Sequence, residues 1–291
     1  MMKIDNLLEG TVKAPEYLFN KIMAITCGHV FSQIMTWLNT DEADDYFDNV
    51  TTIRRKIAEY KQKFGSFDVT AMKPDHVSRD VVKLKASDVD PRYLKRAPNF
   101  KQRNIFVYVS NSKDRAFGLY QPKAVGHHPT IYYHCPPYDS IKNVAKSPEY
   151  VDAMFDRVEG TIEHELMHAV QQLILDVLHV SGEGHLDAND NIKDYDAYMM
   201  DVDEFSPMIV THAKEITAFL KEMKARGRAL SPEQVREFFN SFVNPTVTPP
   251  ADLEMTTPEF FEVLYRKDRK KWQKAVKLVY DKVRDTMKKP A

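Results

Sequence analysis

The chain has 291 residues, 41 of them basic and 42 acidic, for a formal net charge of −1, and 43% of its residues are hydrophobic. That apolar content suffices to bury a sizeable core, and the balanced charge argues against a nucleic-acid partner or a membrane-surface role, both of which call for a basic excess. The two cysteines, Cys27 and Cys135, are far apart in sequence, which excludes a zinc ribbon or a redox pair and fits unpaired thiols in a reducing compartment.

The N-terminus lacks a basic segment leading into an apolar run and a small-residue cleavage site. The most apolar early segment, Tyr17 to Leu38, is interrupted by Lys21, His29, Ser32 and Gln33. Such groups are costly in hydrocarbon, so the segment reads as a buried helix rather than a span, and a cytoplasmic chain is expected.

In chain order, residues 15–38 predict a helix opened by Pro15, and residues 46–64 a second one ended by Gly65. The pattern then changes. Val81 to Leu84, Ile105 to Val109 and Thr130 to His134 are short and rich in β-branched and aromatic residues, and predict strands of a small sheet. Thr130 to His134 is a candidate edge strand for an extended peptide, or simply a strand with Ile131 and Tyr133 inward and Tyr132 and His134 outward. His127 and His128 are adjacent, point opposite ways in extended chain and read as loop residues. A long helical pattern follows, with Ser147 as N-cap, Pro148 at the first turn and Gly182 at the close; Gly160 marks a place where it could break in two. Residues 183–200 read as a polar loop. Helical patterns resume over 204–226, 232–243 and 257–287, with a Pro-rich hinge from Asn244 to Pro250.

The long helix carries His164-Glu165-Leu166-Met167-His168. Residues four apart share a helix face, so both imidazoles can point at one metal ion. Glu165 sits about 100° round from His164, close enough to serve as a base without being a ligand. Zinc held by two His and one further ligand, with a position left open, is a catalytic arrangement that activates water and polarises a carbonyl. Glu165 would take the water's proton and pass it to the leaving amine. A shuffled chain of this composition would show such a run about 0.02 times. From Thr161 to Val180 the remaining positions are mostly apolar, so the helix is expected to be buried, and buried polar groups without partners are costly. Metal coordination supplies a reason for them; satisfied core histidines are the bland alternative.

Position 174 is Ile174, which removes a third His six residues after the motif. Glu204 opens the next helical pattern, on a helix that can pack beside the first. His164-Glu165-x-x-His168 followed by a glutamate on a downstream helix resembles the gluzincin clan of zinc peptidases. The order of small sheet, motif helix and second helix is similar to the zincin fold, over about residues 79–222. The resemblance implies an α+β, helix-rich zincin-like fold with a small mixed sheet packed on the motif helix. It implies helical additions at residues 1–66 and 227–291 around a catalytic core at 67–226, and a zinc metallopeptidase acting on protein or peptide substrates. His164, His168 and Glu204 would bind Zn2+, and Glu165 would be the catalytic base and acid. Asp203, Asp201, His179, His185 and His212 are the other candidates for third ligand, and Asp203 is equally an N-cap. Many gluzincins place an acid four residues after the third ligand; in this chain that position is Met208, so outer-shell support would fall to Asp176, Asp201 or Asp203. Tyr195, Tyr198 and His185 are the candidates for an oxyanion partner. A zinc amidase acting on a non-protein amide, and an inactive protein of the same fold within a larger assembly such as that of a phage or mobile element, are the rival readings.

Overall fold

The computed structural model describes residues 14–88, 102–111, 117–125, 128–135, 138–178, 200, 202–248 and 257–288. It is helix-rich, with one small mixed sheet. Its contacts group the chain into two units: residues 13–151 with 161–181, and residues 152–160 with 182–291, together with 1–12.

In the first unit, α1 (Glu16–Leu38) and α2 (Asn49–Phe64) precede strands β1 (Ser78–Lys85), β2 (Gln102–Asn111), β3 (Phe117–Val125) and β4 (His128–Cys135), and α3 (Tyr138–Lys146) follows. The sheet order is β1-β2-β4-β3. β1 is antiparallel to β2, β2 is parallel to β4, and β4 is antiparallel to β3. Alternation places Val107, Val109, Ile131 and Tyr133 in the core, while Tyr108, Tyr132 and His134 are half-buried. The inward and outward assignment expected for β4 therefore holds. Its expected place at the edge does not: β4 is paired on both sides, and the edge beyond it is β3. His128, expected in a loop, is the first residue of β4 and pairs with Val125.

Sequence patterning does not reveal β3, because Gly118 and Pro122 both speak against a strand. An edge strand tolerates proline, whose missing N–H can face away from the sheet. The register with β4 shifts between Gln121 and Val125, where Pro122 lies.

α1 lies against β1 and β2. Several of its buried polar side chains are satisfied in place. Thr26 donates to the Ile22 carbonyl at 3.0 Å. His29, Gln33, Asn111 and Ser78 form a network: Gln33 Nε2 donates to Asn111 Oδ1 at 2.6 Å, and Asn111 Nδ2 donates to Gln33 Oε1 at 2.7 Å. Asn111 Oδ1 can only accept, so His29 donates to it through Nε2 (2.9 Å) and accepts at Nδ1 from the Ser78 hydroxyl (2.9 Å). Among the described residues no helix is long and apolar enough to cross a membrane. Cys27 and Cys135 are both buried, and burial pushes the Cys135 thiol well up.

The long helix α4 (Val151–Leu178) follows a short 3-10 turn at Pro148–Tyr150 and runs unbroken through Gly160. Ser147 stands at the N-cap of that turn with Pro148 just inside it, as expected, but its side chain makes no cap bond. Gly160 is explained by packing: a Cβ there would stand 2.8 Å from Lys214 Cβ on α5 (Val202–Ala225). The second unit holds α5, α6 (Pro232–Val243), α7 (Glu259–Lys267) and α8 (Arg269–Lys288) around a core that includes Phe205, Ile209, Phe238, Phe242, Phe260, Phe261 and Leu264. α6 begins with a complete capping box from Ser231 and Gln234. The single helical pattern over 257–287 is two helices, because Asp268 Oδ1 accepts from the Lys270 and Lys271 backbone N–H groups at 3.0 and 2.9 Å and starts α8 afresh. Between α4 and α5, Lys214 Nζ meets Glu159 at 2.8 Å and Lys221 Nζ meets Asp156 at 2.7 Å, with both carboxylates buried.

Candidate metal centre

Apolar residues on most sides of α4, including Ile162, Leu166, Met167, Ala169 and Val170, bury the helix as its sequence requires. Glu165 is buried among them at 7% exposure, and His164 and His168 are half-buried on one face. The two imidazoles meet at their Nε2 atoms, 3.0 Å apart, with ring centroids at 4.7 Å and ring planes at 70°. Two nitrogens each about 2.0–2.1 Å from a tetrahedral zinc lie about 3.3 Å apart. The observed spacing is close to that edge. The pair therefore fits two adjacent corners of a zinc tetrahedron.

Glu165 lies between them in sequence and turns toward β3. The Gly118 backbone is so near that a Cβ on it would stand 2.5 Å from Glu165 Cγ and 2.8 Å from Oε1. The edge strand thus passes directly beside the carboxylate expected to act as base. This contact was not legible in the sequence, since β3 itself was not; the only signal was a glycine in an otherwise extended stretch.

The remaining candidates fall out unevenly. Among the described residues no three His, Cys, Asp or Glu side chains converge as a metal site. The Glu204 backbone lies in the first turn of α5, and its side chain is outside the described residues, as are those of Asp176, Asp201 and Asp203. His179, His185, Tyr195 and Tyr198 also lie outside them. His212 is described: it is buried, Nδ1 lies 2.7 Å from Glu215 Oε2, and Phe242, Phe260 and Phe261 surround its ring with centroids at 5.3–6.0 Å. This is the setting of a core histidine packed among aromatic rings.

Compared with known proteins, the chain matches no family model, no curated protein and no solved structure.

Proposed function

We propose that this chain is a zinc-dependent peptidase with a zincin-like, gluzincin-type site. The observation that carries the reading is the convergence of His164 Nε2 and His168 Nε2 at 3.0 Å on a buried helix whose intervening Glu165 faces an edge strand. His164 and His168 would hold the metal, and Glu204 would complete the ligand set. Zinc would supply the Lewis acid that activates water and polarises the scissile carbonyl. Glu165 takes the proton of the attacking water on its carboxylate and returns it to the leaving amine. β3 supports a peptide as substrate. Beyond it no further strand is paired among the described residues, so an extended backbone can add to that edge and run past Glu165.

The test is cleavage of casein and of extended peptides by the zinc-loaded chain and by its Glu165→Gln variant. The expected result is cleavage by the parent and its loss in the variant with zinc retained. Equal cleavage by both would show that Glu165 is not the base.

A further inference from the structure

We propose that Gly118 is a positioning residue for Glu165, its missing side chain being the space that lets the carboxylate stand where it does. The inference rests on the peptidase reading for its catalytic meaning, and on geometry alone for its structural meaning.

Glycine weakens a strand interior, so its presence in β3 asks for a cause. Backbone conformation is not that cause, because the positive-φ glycines among the described residues are Gly65 and Gly227. Alanine would suit the backbone at 118. What it would not suit is the space above the strand. A Cβ at 118 would meet Glu165 Cγ at 2.5 Å, Thr161 Cγ2 at 2.7 Å and Glu165 Oε1 at 2.8 Å, all closer than Cβ atoms come to other groups. These neighbours differ in how they can yield. Gly118 is fixed opposite Tyr133, a fully buried residue of β4. Thr161 is β-branched on a helix and therefore stiff at χ1. Glu165 has three rotatable bonds, so its carboxylate is the group that would be driven aside. The strand backbone thus forms one wall of the slot that fixes the rotamer of Glu165, and only glycine leaves that slot open. A general base works only within hydrogen-bond reach of the proton it takes, so a displaced carboxylate loses rate rather than binding.

The experiment uses the full zinc-loaded chain and compares Gly118→Ala, Thr161→Ser and the pair G118A/T161S. Removing the Thr161 methyl relieves one of the two clashing groups, so the pair retains its fold if G118A alone does not, and the conflict with Glu165 remains. Expected for the pair are full zinc content, KM within about twofold of the parent, and kcat lowered about 10²-fold, the low end of what a general base contributes. T161S alone is expected to keep parental kcat. Parental kcat in the pair would overturn the proposal. A second readout needs no catalysis: the fall in Tm caused by G118A, in the T161S background, is measured with Glu165 present and with Glu165→Ala. A smaller fall when Glu165 is Ala is expected, and equal falls would overturn the proposal. Should the parent cleave no peptide at all, the peptidase reading fails on that result, while the Tm comparison still decides whether Gly118 makes room for Glu165.

Discussion

His164 and His168 face one another across a single turn of α4, with their Nε2 atoms 3.0 Å apart. Two imidazole nitrogens at that distance can share a proton or a cation. The pair stands on a helix buried by Ile162, Leu166 and Ala169, and on the proposed reading a metal would accept both lone pairs at once. On that reading Glu204 would be a ligand and Glu165 the base, and the two roles can be told apart. Glu204→Gln is expected to weaken zinc binding by more than the roughly 10–100-fold that loss of an outer-shell partner costs, whereas Glu165→Gln is expected to leave it unchanged. Competition titration with a chromophoric chelator measures both, and unchanged affinity in E204Q would assign the third ligand elsewhere.

The helix crossing at Gly160 has its own consequence. Alanine is the better helix former by about 1 kcal/mol, yet its Cβ would lie 2.8 Å from Lys214 Cβ, an atom fixed to the α5 backbone. Overpacking of this kind costs typically 1–3 kcal/mol. Gly160→Ala is therefore expected to lower stability by up to about 2 kcal/mol, read from the urea midpoint. A gain in stability would show that the two helices separate easily at this point.

Phe261 is fully buried, with ring centroids 5.2 Å from Phe260 and 5.3 Å from His212. Its truncation to alanine is expected to cost about 3–5 kcal/mol, measured by chemical denaturation. A loss below about 1 kcal/mol would mean that the aromatic cluster closes over the gap.

The sequence is most informative where chemistry is local. A four-residue spacing on a helix suffices to bring two imidazoles together, and nothing elsewhere in the chain is needed to see it. The helices α1, α2, α5 and α6 and the strands β1, β2 and β4 are visible for the same reason, each carrying its own periodicity. β3 is hidden because its two atypical residues answer to distant partners: Gly118 to Glu165 and Thr161 on α4, and Pro122 to the register shift against β4. The division of the last helical pattern turns on one carboxylate, Asp268, capping α8 where the apolar and basic pattern runs on without interruption. Gly160 reads as a break because its partner Lys214 is 54 residues away in sequence, and only packing shows it to be a contact. A third metal ligand would be of the same non-local kind, which is why the spacing alone leaves several carboxylates and histidines open.

The network around His29 sets a pH dependence. Burial pushes the His29 imidazole below its ordinary value, the hydrogen bond to Asn111 opposes this, and His76 adds to it. With the folded value lowered, the unfolded chain takes up a proton at His29 that the folded chain refuses. The stabilisation is thus present above about pH 6.5, the ordinary histidine value, and is lost as the pH falls from there toward the folded value. His29→Gln removes the titration. The parent is expected to lose stability between about pH 7.5 and 5.5 more steeply than the variant, as followed by urea midpoints; parallel curves would contradict the neutral, buried assignment of His29.

The most direct test of the central claim is the metal content of the full chain after equilibration with zinc and removal of excess, set beside that of His168→Ala. One zinc per chain in the parent and none in the variant is the expected result. A parent that retains no zinc, or a variant that retains as much as the parent, would contradict the assignment of His164 and His168 as a metal site.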